Sequence, residues 1–243
     1  MTVDFDADTG RLRLDQLDFD CLVDWANGAE NPGPELADLR EAGVVTDEVP
    51  HPSVVPGLQA VSEPVCQMRI AQMDDRGKHR SGDGWLNRDA AALLLDSADG
   101  LRELVTVLPT LLPAVVARIV QLGPRPRPGV EPLGIPTAMF DGMLSSDPEE
   151  RRAASASMAA HAPEPPMPDV VESFVTGPWR CWSVSMAWLT PEGEQASSNM
   201  QVVDTLSGLC MLDIEEQNTS LWPTTATEVW RRLSKLLPDD VET

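Results

Sequence analysis

The length and charge of the chain exclude several classes of protein. Its 243 residues are enough to bury a sizeable core without disulfides, but length alone does not decide between one large domain and two small ones. The formal net charge of −21 argues against a nucleic acid or an anionic membrane as partner, because both are polyanions. The N-terminal stretch is acidic and has no apolar signal segment, which predicts a cytoplasmic protein.

The first residues include an acidic stretch with the spacing of a calcium loop. Asp4, Asp6 and Asp8 occupy alternate positions, as ligands do in such loops. However, Thr9 stands where the turn glycine belongs, and the twelfth position is Asp15 rather than a bidentate glutamate. We therefore expect an exposed acidic turn, and the sequence leaves open whether it binds a cation.

The segment before residue 62 predicts one strand and three short helices. The strand is predicted over residues 11–15. A helix over residues 15–25 follows from its apolar spacing and from the capping aspartate at its start. Further helices are predicted over residues 35–42, where a glycine follows, and over residues 53–61.

Two stretches of the chain repeat one order of features. Residues 64–122 and 179–238 each predict three strands followed by an apolar helix. Residues at the ends match at a spacing of about 115 positions, in the pairs Pro109 and Pro223, Val115 and Val229, Arg118 and Arg232, and Leu122 and Leu236. Two copies at this spacing indicate a pseudo-two-fold fold rather than a solenoid.

The fold class that follows is α/β, with two repeated antiparallel sheet-plus-helix halves. We expect one domain over residues 1–243, with halves at about 12–122 and 133–238. The Pro/Gly-rich residues 123–132 form a stiff connection between the halves.

Two further segments carry a helix prediction. The longest apolar stretch, residues 104–122, contains two prolines and an arginine, so it predicts a buried helix rather than a membrane span. Residues 148–160 predict another helix, because Pro148 and the acids after it follow a capping residue.

Catalytic motifs are missing from the sequence. It has no glycine-rich phosphate loop, no Gly-x-Ser-x-Gly and no histidine pair at metal-ligand spacing. We therefore assign no catalytic residue, no metal and no cofactor. Four cysteines stand singly, without Cys-x-x-Cys spacing, which favours buried reduced thiols at Cys21, Cys66, Cys181 and Cys210.

Seven tryptophans and no tyrosine make the aromatic content unusual. In the predicted strand over residues 179–189, Trp182 and Trp188 share one face and Trp179 lies on the other. Such a strand is either core covered by a helix or an exposed aromatic face for a partner. The candidate partner-binding residues are Trp179, Trp182, Trp188 and Trp222.

The last helix, predicted over residues 224–237, has a capping-box start at Thr225 and Glu228. Val229, Leu233 and Leu236 recur at helical spacing, which predicts a buried face. We expect Trp230 to be buried with them.

The order of these features resembles the EspG family of type VII (ESX) secretion-associated proteins of actinobacteria. The segments that carry the resemblance are residues 14–17, 35–45, 64–70, 111–136 and 222–238. The resemblance implies a pseudo-two-fold α/β fold and a cytosolic, non-enzymatic chaperone that binds the helical tip of PPE proteins in PE–PPE heterodimers. No binding residue carries over. The short Ala/Ser-rich segment 148–160 departs from relatives with more helix, which leaves the client open.

Two rival functions remain at this point. One is a small-molecule enzyme with an acidic pocket, which requires clustered carboxylates with perturbed pKa values. The other is a structural or assembly protein that dimerises through a sheet face. If the chain is a chaperone, we expect the client to bind through the second half and the loops flanking its sheet, largely by apolar contacts.

Overall fold

The computed structural model describes residues 3–30, 33–127, 131–161 and 169–236. The elements of the first half are, in chain order, β1 (Asp4–Asp6), β2 (Arg11–Leu14), α1 (Gln16–Ala26), α2 (Leu36–Glu41), β3 (Val45–Thr46), β4 (Val49–Pro50), α3 (Val55–Ser62), β5 (Cys66–Asp74), β6 (His79–Leu86), β7 (Ala91–Asp96), β8 (Arg102–Val107), a 3-10 turn (Pro109–Leu111) and α4 (Leu112–Ile119). Those of the second half are β9 (Leu133–Pro136), α5 (Thr137–Met143), α6 (Pro148–His161), α7 (Asp169–Thr176), β10 (Trp179–Leu189), β11 (Gln195–Thr205), β12 (Gly208–Ile214), β13 (Asn218–Thr224) and α8 (Ala226–Leu233).

Eleven strands form one antiparallel sheet in the order β1-β2-β8-β7-β6-β5-β10-β11-β12-β13-β9. The two halves meet where β5 pairs with β10, from Arg180 opposite Asp74 to Trp188 opposite Cys66. From this central pair outwards, both halves add their next three strands in chain order and then a strand from earlier in the same half. This order confirms the predicted pseudo-two-fold α/β fold.

The last helix of each half occupies an equivalent place. α4 and α8 begin and end 114 residues apart, each follows the fourth strand of its repeat (β8 after β5–β7, β13 after β10–β12), and the two helices pack against each other. Both contribute to one apolar core on the same face of the sheet, with Val116 from α4 and Val229 from α8 among its buried residues. The repeat seen in the sequence is therefore a structural repeat.

Helices cover the opposite face only towards the two ends of the sheet. α1, α2 and α3 cover the outer strands of the first half, and α5, α6 and α7 cover those of the second half. Each group closes a core of its own, around Leu22 and Leu94 in the first half and around Phe140 and Phe174 in the second. In the described parts of the chain, no helix covers the middle of this face.

The N-terminal predictions are confirmed. α1, α2 and α3 lie within one or two residues of their predicted limits, and the Asp15 carboxylate caps α1 by accepting a hydrogen bond from the Asp18 amide at 2.9 Å. α6 spans the predicted segment, and Thr225 caps α8. Residues 128–130 of the predicted connection, and residues 237 and 238 at the end of the predicted second half, lie outside the described residues.

The predicted helix over residues 104–122 is wrong in its first part. Residues 102–107 form β8, which hydrogen-bonds to both β7 and β2, and α4 begins only at Leu112. Pairing on two sides satisfies the backbone of this apolar segment as fully as a helix would, and Pro109 then sets the start of the helical turn. Each repeat consequently has four strands before its helix rather than three, β5–β8 and β10–β13, and the sequence missed β13 in the same way.

The prediction that Trp230 is buried is also wrong. Val229, Leu233 and Leu236 are buried against the sheet as expected, but Trp230 keeps 41% of its surface exposed. Successive helical residues are about 100° apart around the axis, so a side chain next to the buried stripe points along its flank.

Candidate functional site

The uncovered middle of the sheet forms an open trough. It is floored by β6, β5, β10 and β11, and its lining residues on this face are Gln67, Arg69, Asp83, Trp85, Ser185, Ala187, Ser197 and Asn199. The cavity has a volume of about 490 Å³. We call this surface the trough.

Strand alternation explains why the trough is polar. Along β5, Cys66, Met68 and Ile70 point into the core beneath α4 and α8, whereas Gln67 and Arg69 between them are exposed. Successive side chains of a strand point to opposite faces, so the trough side of each central strand carries the residues between the core positions. An antiparallel sheet tolerates one solvated face, and here that face lies at the centre of the sheet.

The two helix groups bound the trough. On the first-half side, Trp85 of β6 packs against Phe19 of α1, with ring centroids 5.6 Å apart. On the second-half side, a smaller cavity of about 180 Å³ extends the trough towards Leu144, just after α5, past Cys181 and Ser183. The trough is therefore built jointly by both halves.

Some polar groups of the trough floor already form hydrogen bonds or ion pairs. The Ser185 hydroxyl donates to the Asn199 Oδ1 at 3.2 Å. Asp83 pairs with Arg102 at 2.9 Å, and the same guanidinium also pairs with Asp96. Arg69 is exposed and forms no ion pair with any described residue. It therefore offers a free cation at the centre of the floor.

The trough offers mainly hydroxyl, amide and charged side chains. The lining of the larger cavity includes Ser185, Ser197 and Ser198 but no histidine. His79 lines the smaller cavity together with Ser183, and the described structure shows no hydrogen bond between these two side chains. Two carboxylates with a lowered pKa lie elsewhere: a hydrogen bond from Thr9 lowers the pKa of Asp6, and one from Arg13 lowers that of Asp99. Among the described residues, no group of three or more His, Cys, Asp or Glu side chains is placed to hold a metal ion.

The acidic N-terminal stretch forms the turn between β1 and β2. Asp6 accepts hydrogen bonds from the Asp8 amide and from the Thr9 hydroxyl, at 3.0 and 2.7 Å. The stretch is largely exposed, which confirms the acidic turn expected from the sequence.

The four cysteines are free and buried, as predicted. Burial raises the pKa of the Cys66 thiol to about 11 and the pKa values of the Cys181 and Cys210 thiols to about 12. For Cys21 the pKa is raised as well, chiefly by burial. Thiols held in the protonated form are poor nucleophiles.

The candidate tryptophans lie in three different environments. Trp182 is 2% exposed and Trp188 half-buried in the core beneath α4 and α8, while Trp179 is buried in the second-half core against Phe174. The predicted division of this strand into two faces is therefore confirmed. Trp222 is 49% exposed, so about half of its surface is open to solvent and it remains a candidate contact.

Trp85 and Arg69, which line the trough, were not predicted as contact residues from the sequence. The signal was present, because the apolar and polar residues of segment 66–70 alternate as in a strand with one solvated face. What the segment did not reveal is that this strand lies at the centre of the sheet rather than at an edge.

None of the helices in the described parts of the chain combines the length and the hydrophobicity that a bilayer crossing requires.

Comparison with known proteins identifies the fold. No protein-family model matches the sequence, and no curated protein matches it by sequence. A solved structure does match: the Mycobacterium tuberculosis type VII secretion system chaperone EspG5, in complex with the PE25–PPE41 dimer. It has a TM-score of 0.59 at 10% identity, and the match covers 94% of this chain and 97% of that one. The chain therefore has the fold of EspG5, and the EspG-like fold expected from the sequence is confirmed.

Proposed function

We propose that the chain is a chaperone or adaptor of type VII secretion, and that it binds a helical client of the PE–PPE type in the trough. The observation that carries this proposal is the fold shared over nearly the whole chain with EspG5, whose solved complex contains a PE25–PPE41 dimer. In this proposal the chain acts in the cytoplasm and without catalysis.

The dimensions of the trough fit the end of a helical client. Its floor is four strands wide, and neighbouring strands lie about 4.8 Å apart, so the floor measures roughly 14 Å across. An α-helix with its side chains is about 10–12 Å in diameter. The end of one helix therefore fits between the two helix groups.

The composition of the trough fits a client that is held and then released. Interfaces of non-obligate complexes are about as polar as the rest of the surface, with anchors that are commonly aromatic or arginine. The floor offers hydrogen-bonding groups around Ser185 and Asn199, with Arg69 and Trp85 as anchors. Here the proposal departs from the largely apolar surface that the sequence led us to expect. Binding stabilises the soluble state of the client by mass action.

Co-expression with a candidate PE–PPE heterodimer tests the proposal. The native chain is expected to raise the soluble fraction of the client and to co-elute with it in size-exclusion chromatography. Arg69→Glu places an acid at the centre of the floor and is expected to reduce the co-eluting client at least tenfold.

Arg88→Glu is the matched control, because Arg88 is an exposed arginine in the turn after β6, outside the trough lining. It makes the same change in net charge and is expected to leave capture unchanged. Equal loss with both variants would place the client elsewhere. A dimer of the chain that buries the trough, measured by analytical ultracentrifugation, would favour the assembly protein instead.

A further inference from the structure

The pair α4 and α8, on the face of the sheet opposite the trough, carries a charge unlike that of the rest of the molecule. Residues 108–122 contain Arg118 and no acid, and residues 222–236 contain Arg231, Arg232 and Lys235 against Glu228. Four cations and one acid give these two segments a net charge of +3 in a chain of −21. We call this surface the helix-pair face.

Among the described residues, the positive charge of the helix-pair face is exposed and largely uncompensated. Glu228 lies 3.4 Å from Arg231 and 4.0 Å from Arg232, and all three side chains are at least 47% exposed. One carboxylate shared between two guanidinium groups in water neutralises little of their charge. Within the described residues, Arg118 and Lys235 form no ion pair.

Two tryptophans on this side remain open to solvent. Trp230 is 41% exposed on α8, although Val116, its equivalent 114 residues earlier, is 2% exposed. Trp222 is 49% exposed on β13 and pairs with Met211 of β12, whose side chain packs against the core beneath α4 and α8. Strand alternation therefore places Trp222 on the same side of the sheet as α8.

The surface beside α8 is open to a further helix that would pack against the sheet. α4 flanks α8 on one side, and the core under the two helices includes β12 residues but none from β13. The face of β13 that carries Trp222 is thus left without a covering helix in the described structure. A third helix laid beside α8 would cover Trp222 and bring its charges against Arg231, Arg232 or Lys235.

From these observations we propose that the helix-pair face docks an acidic amphipathic helix of a partner protein, beside α8 and over β12 and β13. Exposed tryptophan next to arginine is the composition of interface hot spots. The surplus of cations selects an acidic partner. An anionic bilayer is the poorer occupant, because it presents its charge to the whole molecule, and the remainder of the chain is strongly acidic. The apolar stripe of α8 is moreover already buried against the sheet.

This surface is independent of the proposed function, because it lies on the other side of the sheet from the trough. Client capture in the trough and docking on the helix-pair face can therefore occur together, and each can fail without the other.

A synthetic peptide tests the proposal. The probe is a fluorescein-labelled 20-residue helix with leucine at i, i+3 and i+4 spacing and glutamate on its polar face. The control peptide has lysine in place of every glutamate. By fluorescence anisotropy with the full chain, the glutamate peptide is expected to bind, and its affinity to fall at least tenfold when Trp222→Ser and Trp230→Ser are combined. Arg231→Glu with Arg232→Glu is expected to weaken it comparably, whereas Arg69→Glu in the trough leaves it unchanged.

Three results would overturn the proposal. Equal or tighter binding of the lysine peptide would mean that the overall charge, not this face, governs recognition. Binding of phosphatidylserine vesicles that is lost with the tryptophan variants, without peptide binding, would make the face a membrane contact. A dimer that dissociates with the same variants would make its occupant a second copy of the chain. Circular dichroism and urea unfolding establish that the variants are folded.

Discussion

Asp204 is a buried carboxylate that joins three separate parts of the chain. It is 4% exposed on β11. Its oxygens accept from Arg125 at 2.7 and 3.1 Å and from Arg180 at 2.6 Å. Arg125 belongs to the segment after α4 and Arg180 to β10, so this one side chain fixes the start of the inter-half connection to the second half.

Replacing Asp204 by alanine is expected to destabilise the chain by about 3–5 kcal/mol, because it leaves partly buried guanidinium groups without a counter-charge. Glu228→Ala is the matched control, since that carboxylate also faces two arginines but is 47% exposed, and its loss is expected to cost less than about 1 kcal/mol. Urea unfolding followed by circular dichroism measures both. Equal losses would show that Asp204 is more solvated than its burial indicates.

The buried cysteines are expected to be protected from thiol reagents. All four are expected to be reduced, and Cys66, Cys181 and Cys210 to react slowly with a thiol reagent at pH 8 until denaturant is added. Cys181 and Cys210 lie on β10 and β12, which are separated by β11. Two strand spacings of about 4.8 Å place them beyond the roughly 7 Å limit for a disulfide. Rapid labelling of the folded chain would contradict their burial.

The same thiols are expected to lower the stability of the folded chain at alkaline pH. Folding raises their pKa from 9.0 to about 11 for Cys66 and about 12 for Cys181 and Cys210. Below pH 9 both states hold their protons, and the contribution of these thiols is fully present. Between pH 9 and the raised values only the unfolded chain releases protons, so the midpoint of urea unfolding is expected to fall over this range. A Cys66→Ala variant is expected to fall less steeply.

Interactions between residues close in the sequence could be predicted, whereas interactions between residues distant in the sequence could not. The caps Asp15 and Thr225 depend on neighbours within three residues, and both were predicted. The pairs of Asp204 were not, because Arg180 lies opposite it only through the β10–β11 pairing, and Arg125 is 79 residues away in the sequence.

α4 and α8 show what the spacing of apolar residues can and cannot predict about an element. Their matching 114-residue spacing was visible in the sequence, because each half repeats the same apolar stripe after a proline. β8 and β13 were missed, because a short apolar strand between two others lacks a period that separates it from a helix. The position of Trp230 was misjudged for a related reason, since spacing fixes the centre of a buried stripe better than its flank.

Two substitutions in α8 are expected to differ in how much they destabilise the chain. Leu233→Ala empties a site that is 2% exposed and is expected to cost about 2–5 kcal/mol. Trp230→Ala removes a ring that is 41% exposed, and we expect a loss of about 1 kcal/mol. Chemical unfolding of the two variants checks the order. A larger loss for Trp230 would mean that its ring is buried in solution, and the helix-pair face would then lose one of its two anchors.

At the scale of the molecule, the sheet separates two surfaces of different character. The trough is polar and lies between the helix groups of both halves, whereas the helix-pair face is basic and carries exposed tryptophan on the other side. The sequence indicated the two halves but not the trough, because the trough exists only where β5 of one half pairs with β10 of the other. A contact between halves that is set by strand order is not encoded in any single stretch.

The net charge of −21 is expected to govern the rate at which a client associates, a prediction that rests on the proposed function. A strongly acidic chain attracts a positively charged client over distances comparable to the Debye length, about 8–10 Å near physiological salt, whereas contacts inside the trough act at short range. Raising salt from low to physiological levels is therefore expected to slow association and to leave dissociation nearly unchanged. Stopped-flow fluorescence with a purified client measures both rates.

Two charge-reversal variants serve as the control for steering. Asp8 and Glu216 are exposed in turns, the first between β1 and β2 and the second between β12 and β13, and neither lines the trough. Asp8→Lys with Glu216→Lys changes the net charge from −21 to −17 and is expected to slow association at low salt without changing dissociation. If salt or these variants changed mainly the dissociation rate, ion pairs within the bound complex would dominate, and Arg69 would be the first residue of the trough to test.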